Sequence, residues 1–416
     1  MDSTMRICIL GGGLCGLVAA LRLSGSSEVT LLERDRELGG CLSSWRLGED
    51  RWVERFYHHC FAGDHHLLSL LAETGLSGRL EWLRGTTGSF ADGKIYALNT
   101  PLEILRYPYL SLPEKARLAL FTKRAGNLKA GDLDALTARD FILDHLGERI
   151  YSEFFRPLLR SKFGDRENDV SAGWLVSRVA IRSNRGFSGE RLGYLRGGFH
   201  LLVERLADLA AKQGCSIVTG SPATRLERSN GKWVVNGSGY DRVLSTIPPQ
   251  EIWRIGGPDL PLVPYQGAAC MTLGIDRDVT NGVYWLNMKD PAPYGAVVSH
   301  TNFVPPERYG GRILYLASYF QGVMDPGLPG RMVDDFCSRF GVTPKSILWR
   351  KMAVEPFAGP VYTTGYRSHI PAYEEGGLFL AGMFSLPNYP ERSMEGSIIA
   401  ANEVAARMQQ GAVAHG

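Results

Sequence analysis

The feature that most constrains this chain is a group of glycines directly after an apolar segment near the N-terminus. Residues 5–10 form a short apolar stretch, the sequence GGGLCG follows at residues 11–16, and an apolar helical pattern comes next. A GxGxxG spacing between a strand and a helix lets backbone N–H groups and the helix dipole hold a pyrophosphate. The sequence therefore predicts a strand, a turn with Gly11, Gly13 and Gly16, and a helix that together bind a dinucleotide.

An acidic residue at the end of the next apolar segment supports the same interpretation. Residues 29–32 have the composition of a second buried strand, and Glu33 follows, twenty residues after Gly13. A carboxylate at that position can accept hydrogen bonds from the hydroxyl groups of an adenosine ribose. The alternative is that the glycines only allow tight packing of the helix on the sheet, with Glu33 solvated.

Composition places the chain among ordinary globular proteins. Its 416 residues, 44% hydrophobic and 21% charged, predict two or three folding units with room for a buried cofactor. A formal net charge of +3 gives no reason to expect nucleic acid as a partner. The seven cysteines form no CxxC pair, which favours reduced thiols and a cytoplasmic location. No apolar run reaches the roughly 18 residues of a membrane span and no export is expected, but contact with a membrane surface remains open.

A second glycine pair, Gly39-Gly40, lies six residues beyond Glu33. It fits another close approach of backbone to phosphate groups, with Ser43 and Ser44 as hydroxyl donors, and this favours FAD over NAD. At this point the sequence resembles the superfamily of flavin-containing amine oxidases and protoporphyrinogen oxidases. The resemblance implies one extended site for the ADP part of FAD. Its expected contacts are Gly11, Gly13, Leu14, Cys15, Gly16, Glu33, Arg34, Gly39, Gly40, Cys41 and Leu42.

The resemblance continues in the middle of the chain. The sequence PATRL at residues 222–226 is similar to the family's segment beside the adenine, which implies a short strand there and a cofactor contact at Ala223. The sequence DRVLSTIP at residues 241–248 resembles the family's strand that ends in Thr-x-Pro beside the cofactor. This similarity implies a contact at Thr246.

The last part of the chain resembles the family's closing motif. It consists of GLFLAG at residues 377–382 and RSMEGS at residues 392–397. The resemblance implies that Gly382 meets the ribityl and phosphate groups, and that Ser393 and Met394 begin a helix at the pyrimidine end of the flavin. A helix N-terminus at that place stabilises the negative charge of a reduced flavin.

These observations together predict an α/β fold in which two domains interleave. A Rossmann-like FAD-binding domain is expected to comprise residues 1–75, 190–255 and 370–416. An α+β substrate domain, with an antiparallel sheet and a helical subdomain, is expected to comprise residues 76–189 and 256–369. Helical patterns dominate from about residue 100 to 185. One expected helix carries Leu118, Leu120 and Phe121, and another begins at Thr137 and runs through Phe155.

Two adjacent histidines are the leading polar candidates near the reacting atoms. Residues 53–61 resemble the family's stretch that passes the flavin ring, and they contain His58 and His59. No metal is expected, because neighbouring side chains of a strand point to opposite faces and no further ligand pattern completes a zinc site. The alternative is that one histidine packs and the other is solvated. Tyr389 and Arg392 are further catalytic candidates because they lie in residues 383–393, which join the two parts of the closing motif and which we call the closing loop.

Three other residues have a polar or reactive side chain with an open role. Arg350 and Lys351 could hold an acidic substrate group or could be solvated strand residues. Cys60 could suggest covalent attachment of the flavin. In the amine oxidases with covalent flavin, however, the attaching cysteine lies in the C-terminal region, and residues 385–390 contain none. FAD is therefore expected to be bound noncovalently.

A basic and apolar segment covers residues 106–129. It contains six basic residues against the single acid Glu114. The pattern predicts either a solvated helix face or a helix that lies on a membrane surface. A solvated helix face is the favoured interpretation. Since the corresponding helices of protoporphyrinogen oxidases can dock on membranes, the resemblance offers a peripheral membrane contact as the alternative.

The resemblance implies an oxidoreductase in which FAD takes a hydride from a C–N or C–C bond of a small-molecule or lipid-like substrate. Two alternatives remain. One is a flavin-dependent sugar isomerase similar to UDP-galactopyranose mutase, and the other is a noncatalytic binding protein similar to the GDP-dissociation inhibitors. The intact glycine motifs, Glu33 and Met394 argue against loss of the flavin. No motif identifies the substrate, the electron acceptor or the oligomeric state.

Overall fold

The computed structural model describes residues 4–181 and 190–413, with side chains through residue 410. The expected end of the helical part near residue 185 and the expected domain boundary at residue 189 lie outside these residues. The described strands are β1 (Arg6–Leu10), β2 (Glu28–Leu32), β3 (Ser44–Arg46), β4 (Trp52–Glu54), β5 (Leu80–Gly85), β6 (Thr87–Ala91), β7 (Lys94–Ala97), β8 (Glu190–Leu195), β9 (Ser216–Val218), β10 (Leu226–Ser229), β11 (Lys232–Val235), β12 (Ser238–Tyr240), β13 (Arg242–Ser245), β14 (Tyr265–Ile275), β15 (Trp285–Met288), β16 (Ala296–Val298), β17 (Arg312–Phe320), β18 (Ile347–Pro360), β19 (Glu374–Glu375) and β20 (Leu378–Leu380). The described helices are α1 (Leu14–Leu23), α2 (His65–Glu73), α3 (Pro101–Arg106), α4 (Leu112–Ala125), α5 (Ala138–His145), α6 (Glu148–Ile150), α7 (Arg156–Phe163), α8 (Ala172–Ile181), α9 (His200–Lys212), α10 (Pro249–Arg254), α11 (Leu328–Phe340) and α12 (Met394–Val413).

The first sheet collects strands from the beginning, middle and end of the chain. Its order is β19-β20-β13-β1-β2-β9, and its strands are parallel except for the edge strand β19. In register, Cys8 of β1 lies between Thr30 of β2 and Val243 of β13. Parallel strands need helical crossovers, and the predicted unit β1-α1-β2 supplies one of them.

The two faces of β1 are covered by different elements. Ile7 and Ile9 belong to the apolar core that includes α1 and α12, whereas Cys8 and Leu10 belong to a second core that includes Trp233 of β11. The strands β10, β11 and β12 form a small antiparallel sheet on that side. Both faces of the parallel sheet are therefore covered, as its continuous apolar strands require.

The second sheet has the order β18-β14-β17-β16-β15-β6-β7. The antiparallel sheet expected in the substrate domain is present in β14 to β18, and the sheet also takes in β6 and β7 from residues 87–97. In addition, β6 runs parallel to β15. No short hairpin joins these two strands, which lie far apart in the sequence, so the chain is free to pair them in parallel.

The helices from α3 to α8 pack beside the second sheet. The Thr137 hydroxyl accepts a hydrogen bond from the Asp140 N–H at 3.0 Å, which confirms the predicted helix start. The prediction of one helix through Phe155 is wrong, because α5 ends at His145 and Gly147 has φ 93°. In the part of the chain that the structure describes, no helix is both long and apolar enough to cross a membrane.

Candidate functional site

Two glycine turns lie against each other where β1 and β2 end. Gly11 follows β1 with φ 105°, and Gly39 in the second turn has φ 112°. The Gly39 N–H donates to Gly12 O over 2.9 Å. Side chains rarely adopt such positive φ values, so glycine is needed in both turns. We call residues 11–16 and 39–40 the glycine cradle.

Gly13 and Gly16 have very different surroundings within the cradle. A Cβ on Gly16 would lie 2.0 Å from Gly11 O, so Gly16 is needed for close packing of α1. A Cβ on Gly13 would meet no described atom closer than Gly39 O at 4.0 Å, and Gly13 has φ −73°, which any residue adopts. Gly13 precedes the first turn of α1, where free N–H groups and the helix dipole favour an anion. The open space at Gly13 fits the pyrophosphate of a dinucleotide.

The Glu33 carboxylate points toward the glycine cradle. Its Oε2 accepts from the Gly12 N–H at 2.6 Å and its Oε1 from the Asp35 N–H at 2.9 Å. Glu33 is only 6% exposed, so the alternative of a solvated side chain is wrong. Each carboxylate oxygen can accept more than one hydrogen bond, and the carboxylate can therefore also accept from ribose hydroxyl groups.

Asn388, which no sequence motif singled out, fixes the closing loop. This buried side chain donates from Nδ2 to Gly382 O at 3.0 Å, and its Oδ1 accepts from the Ser393 N–H at 2.9 Å. The Ser393 Oγ accepts from the Gly396 N–H at 2.9 Å and so caps α12. These bonds bring Gly382 next to the start of α12 at Met394. Asn is common in turns that also contain proline, so Asn388 does not stand out in the sequence.

A cavity of about 1260 Å³ joins the glycine cradle, the closing loop and the helices α3, α4, α7 and α8. Drug-sized ligands occupy roughly 300–1,000 Å³, so this cavity has room for a dinucleotide and a substrate together. Most of the expected cofactor contacts line it. They are Gly11, Gly13, Leu14, Cys15, Glu33, Arg34, Gly39, Gly40, Cys41, Leu42, Ala223, Thr246, Gly382, Ser393 and Met394.

Two expected site residues lie outside this lining. Gly16 packs behind Gly11, and Tyr389 donates its hydroxyl to Asp134 Oδ1 at 2.5 Å. Tyr389 thus ties the closing loop to the helical part of the chain rather than facing the cavity. Ala223 lines the cavity from a loop and not from the expected short strand, since β10 begins only at Leu226.

His58, His59 and Arg392 line the cavity near β14 and β17. The His58 Nδ1 donates to Phe56 O at 2.6 Å, and burial lowers the pKa of His58 to about 4. His58 is therefore neutral at neutral pH, and its Nε2 is an acceptor. The His59 Nδ1 pairs with the Tyr284 hydroxyl at 3.2 Å. Both histidines are half-buried in the cavity wall, so the alternative of one packed and one solvated histidine is wrong.

Four charged side chains meet at the cavity wall, and we call them the charged cluster: Lys162, Arg178, Glu391 and Arg392. The Glu391 Oε1 lies 3.2 Å from Lys162 Nζ and 3.7 Å from Arg178 Nη1. Burial alone would raise the pKa of Glu391, but the three cations lower it to about 2. Burial lowers the pKa of Lys162 to about 7, even though Glu391 opposes this change.

The far end of the cavity is an apolar chamber between α3, α4, α7 and α8. Its aliphatic and aromatic walls are Ile104, Tyr107, Leu110, Leu118, Phe154, Leu158, Leu159, Trp174 and Val179. Periodicity predicts that such side chains are buried, but it does not show that they converge beside the charged cluster. Arg350 and Lys351, the residues that the sequence offered for an acidic group, are exposed and lie outside the cavity lining.

Comparison with protein families gives one long match, and comparison with curated proteins gives several short ones. A profile of the family described as flavin containing amine oxidoreductase matches residues 14–269, more than half of the chain. The 15-cis-phytoene desaturase of Synechococcus elongatus is 33% identical over 79 residues, which are 19% of this chain and 17% of that protein. The chain thus matches only about a sixth of the length of this relative.

Two solved structures are similar over almost the whole chain. A protein from Exiguobacterium sp. 255-15, described as a protoporphyrinogen oxidase, has a TM-score of 0.76 and 18% identity, and the match covers 98% of this chain and 99% of that one. The cyclohexylamine oxidase of Brevibacterium oxydans IH-35A has a TM-score of 0.70 and 15% identity, with 98% and 100% covered. These likenesses show that the mixed α/β fold is shared with flavin amine oxidases.

Proposed function

This chain belongs to the family of flavin-containing amine oxidoreductases, and we propose that it is an FAD-dependent oxidoreductase that takes a hydride from a C–N or C–C bond of an organic substrate. The observation that carries the proposal is the continuous cavity from the glycine cradle to the apolar chamber. Hydride transfer requires the cofactor and the substrate carbon to meet in one space, and a cavity that joins the cradle to the chamber suits this requirement.

The residues around the cradle would hold the ADP part of FAD. Gly13 leaves room for the pyrophosphate at the start of α1, and Glu33 would accept from the ribose. The first sheet takes its strands from the three segments expected for a discontinuous FAD-binding domain, which supports that division of the chain. We propose noncovalent binding. Burial raises the pKa of Cys41 and of Cys60 to about 12, so both thiols stay protonated and are poor nucleophiles.

When bound, FAD supplies the hydride acceptor. The protein's own part is to orient the substrate, exclude water and stabilise charge. The N-terminus of α12 at Met394 would stabilise negative charge at the pyrimidine end of the ring. His58 is neutral, so its Nε2 would accept a hydrogen bond and would not act as a proton donor. The aliphatic and aromatic walls of the apolar chamber would exclude water from the reacting carbon.

The test is the visible spectrum of the purified protein, followed by reduction with dithionite and readmission of air. Flavin absorption that is released by acid precipitation supports noncovalent FAD, and fast reoxidation identifies an oxidase. Slow reoxidation favours either a dehydrogenase or the mutase-like isomerase. Turnover assays with UDP-galactopyranose distinguish these two. If the protein bound no flavin, even with added FAD, the proposal would be overturned and the noncatalytic binding protein would be the remaining alternative.

We further propose that α3 and α4 contact an anionic membrane surface. Their inner sides carry Ile104 and Leu118 into the apolar chamber, while Leu102, Leu105 and Leu112 are 56%, 51% and 67% exposed. Exposed leucines beside the basic side chains of residues 106–129 suit a lipid surface with negative headgroups. An apolar substrate could then pass from the membrane into the chamber.

A further inference from the structure

The charged cluster contains three cations and one anion inside the cavity wall. Glu391 is shared between Lys162 at 3.2 Å and Arg178 at 3.7 Å. Arg392, the next residue in the chain, packs its guanidinium so closely on Gly359 that a Cβ there would lie 2.4 Å from Arg392 Cζ. Among the described residues, the buried Arg392 Nη1 and Glu391 Oε2 have no hydrogen-bond partner. The cluster therefore has a positive excess, an unused donor on Arg392 and an unused acceptor on Glu391.

A purely structural role does not account for this composition. For a structural role, a single ion pair between Glu391 and either Lys162 or Arg178 would be enough to tie the closing loop to α7 or α8. A buried donor without a partner costs about 1–3 kcal/mol, and an unpaired buried cation costs more. An anionic ligand group in the cavity would remove both costs at once. The neighbouring chamber walls, such as Leu158 and Trp174, would meanwhile contact apolar carbon.

We infer that Lys162, Arg178 and Arg392 form a subsite for an acidic group, either a carboxylate or a phosphate monoester, on an otherwise apolar substrate. The inference rests on the proposed function and specifies its substrate class. The positive excess disfavours cationic amines, and a hydrocarbon without an acidic group would leave the subsite unfilled. The substrate is then an amphiphilic acid, with its tail in the apolar chamber.

Lys162 gives the subsite a measurable signature. Burial lowers its pKa to about 7, and the charged groups that act on it are Glu391, Arg178 and Arg392, with the Trp174 ring 4.7 Å from its Nζ. A bound anion favours the protonated amine and raises the pKa of Lys162. At a slightly alkaline pH, binding of an acid should therefore take up a proton from solution, whereas binding of an alcohol should not.

The experiment is calorimetric titration of the holoenzyme with octanoate, octyl phosphate, octanol and octylamine, in two buffers with different heats of ionisation. We expect at least one of the two acids to bind about tenfold or more tightly than octanol and octylamine, with uptake of up to one proton. Comparison of octanoate with octyl phosphate identifies the acidic group. Arg178→Gln should reduce the preference for acids about tenfold, and Lys162→Met should also abolish the proton uptake.

The matched control is Arg156→Gln. Arg156 is also an arginine bonded to a glutamate, Glu167 at 3.2 Å, but it lies outside the cavity lining. This variant should bind the acids like the parent protein. Equal affinities for acids and octanol, no acid binding at millimolar concentration, or a preference that survives both cluster variants would overturn the inference. The flavin spectrum of the same samples separately reports failure of the proposed function.

Discussion

The glycine cradle and the apolar chamber are two ends of one cavity, yet the sequence specifies them in different ways. The cradle consists of backbone, and positions such as Gly11 and Gly39 admit only glycine because of their φ values. The chamber consists of side chains from four helices and the segments next to them, and other apolar residues of similar volume would fill most of its positions. A site made of backbone leaves a fixed glycine spacing in the sequence, whereas a site made of side chains leaves only periodicity. Single substitutions should therefore harm the cradle far more than the chamber.

The largest effect is expected for Gly13→Val. A side chain at φ −73° is unstrained, and its Cβ would lie no closer than 4.0 Å to the nearest non-neighbouring atom, Gly39 O, so we expect the midpoint of thermal unfolding to change little. The valine side chain would fill the space for the pyrophosphate, and the dissociation constant of FAD should rise by about 100-fold or more. Titration of the apoprotein with FAD, followed by flavin fluorescence, measures the change.

Two other glycines serve as controls for that variant. Gly16→Ala places a Cβ 2.0 Å from Gly11 O and should lower the free energy of unfolding by about 3 kcal/mol. Gly25→Ala adds a Cβ with no atom within 4 Å and should change neither stability nor FAD affinity. If Gly13→Val bound FAD normally, the cradle would not hold the pyrophosphate.

Asn388→Ala tests whether the closing loop depends on one side chain as strictly as the cradle depends on glycine. The substitution removes the bonds to Gly382 O and to the Ser393 N–H in a fully buried place. We expect a loss of about 2–3 kcal/mol in the free energy of unfolding and about tenfold weaker FAD binding. Chemical denaturation and FAD titration measure the two quantities. Asn388→Asp keeps the acceptor for Ser393 and should lose less FAD affinity than Asn388→Ala.

The cradle and the start of α12 lie largely where the sequence predicts them. The strands β1 and β2, the buried Glu33 and the start of α12 at Met394 all follow from local patterns whose spacing is set by backbone geometry. Such patterns are visible in one sequence because each residue contacts others that lie near it in the chain or in a fixed motif.

The remaining features depend on long-range packing and could not be predicted. Lys162 and Arg178 meet Glu391 only because α7 and α8 pack on the closing loop, more than 200 residues away in the chain. The break at Gly147 was missed because apolar periodicity continues across it, with Ile150 still buried. A periodic pattern reports which side faces the core, but it does not report whether the helix axis is continuous.

The pH dependence of acid binding sharpens the contrast, because the glycines of the cradle carry no side chain that titrates, whereas the charged cluster beside the chamber contains Lys162. The pKa of Lys162 is lowered to about 7 by burial, and a bound acid raises it. The amine is charged below this pKa, so affinity for octanoate should be highest below about pH 7 and fall by up to about tenfold toward pH 9. Octanol affinity should stay constant, and Lys162→Met should give a flat profile. A fall in affinity that persists in that variant would assign the effect to another group.

The smallest effect is expected at the outer side of the chamber helices. Leu102 and Leu112 are 56% and 67% exposed, so the double substitution of both by serine should leave stability unchanged within about 0.5 kcal/mol. If these leucines enter an anionic bilayer, co-sedimentation with anionic liposomes at low salt should weaken by about fivefold. Leu262→Ser is the matched control, because Leu262 is 68% exposed but lies outside α3 and α4. Equal loss in both proteins, or no co-sedimentation of the parent protein, would mean that the exposed side of the chamber is an ordinary solvated surface.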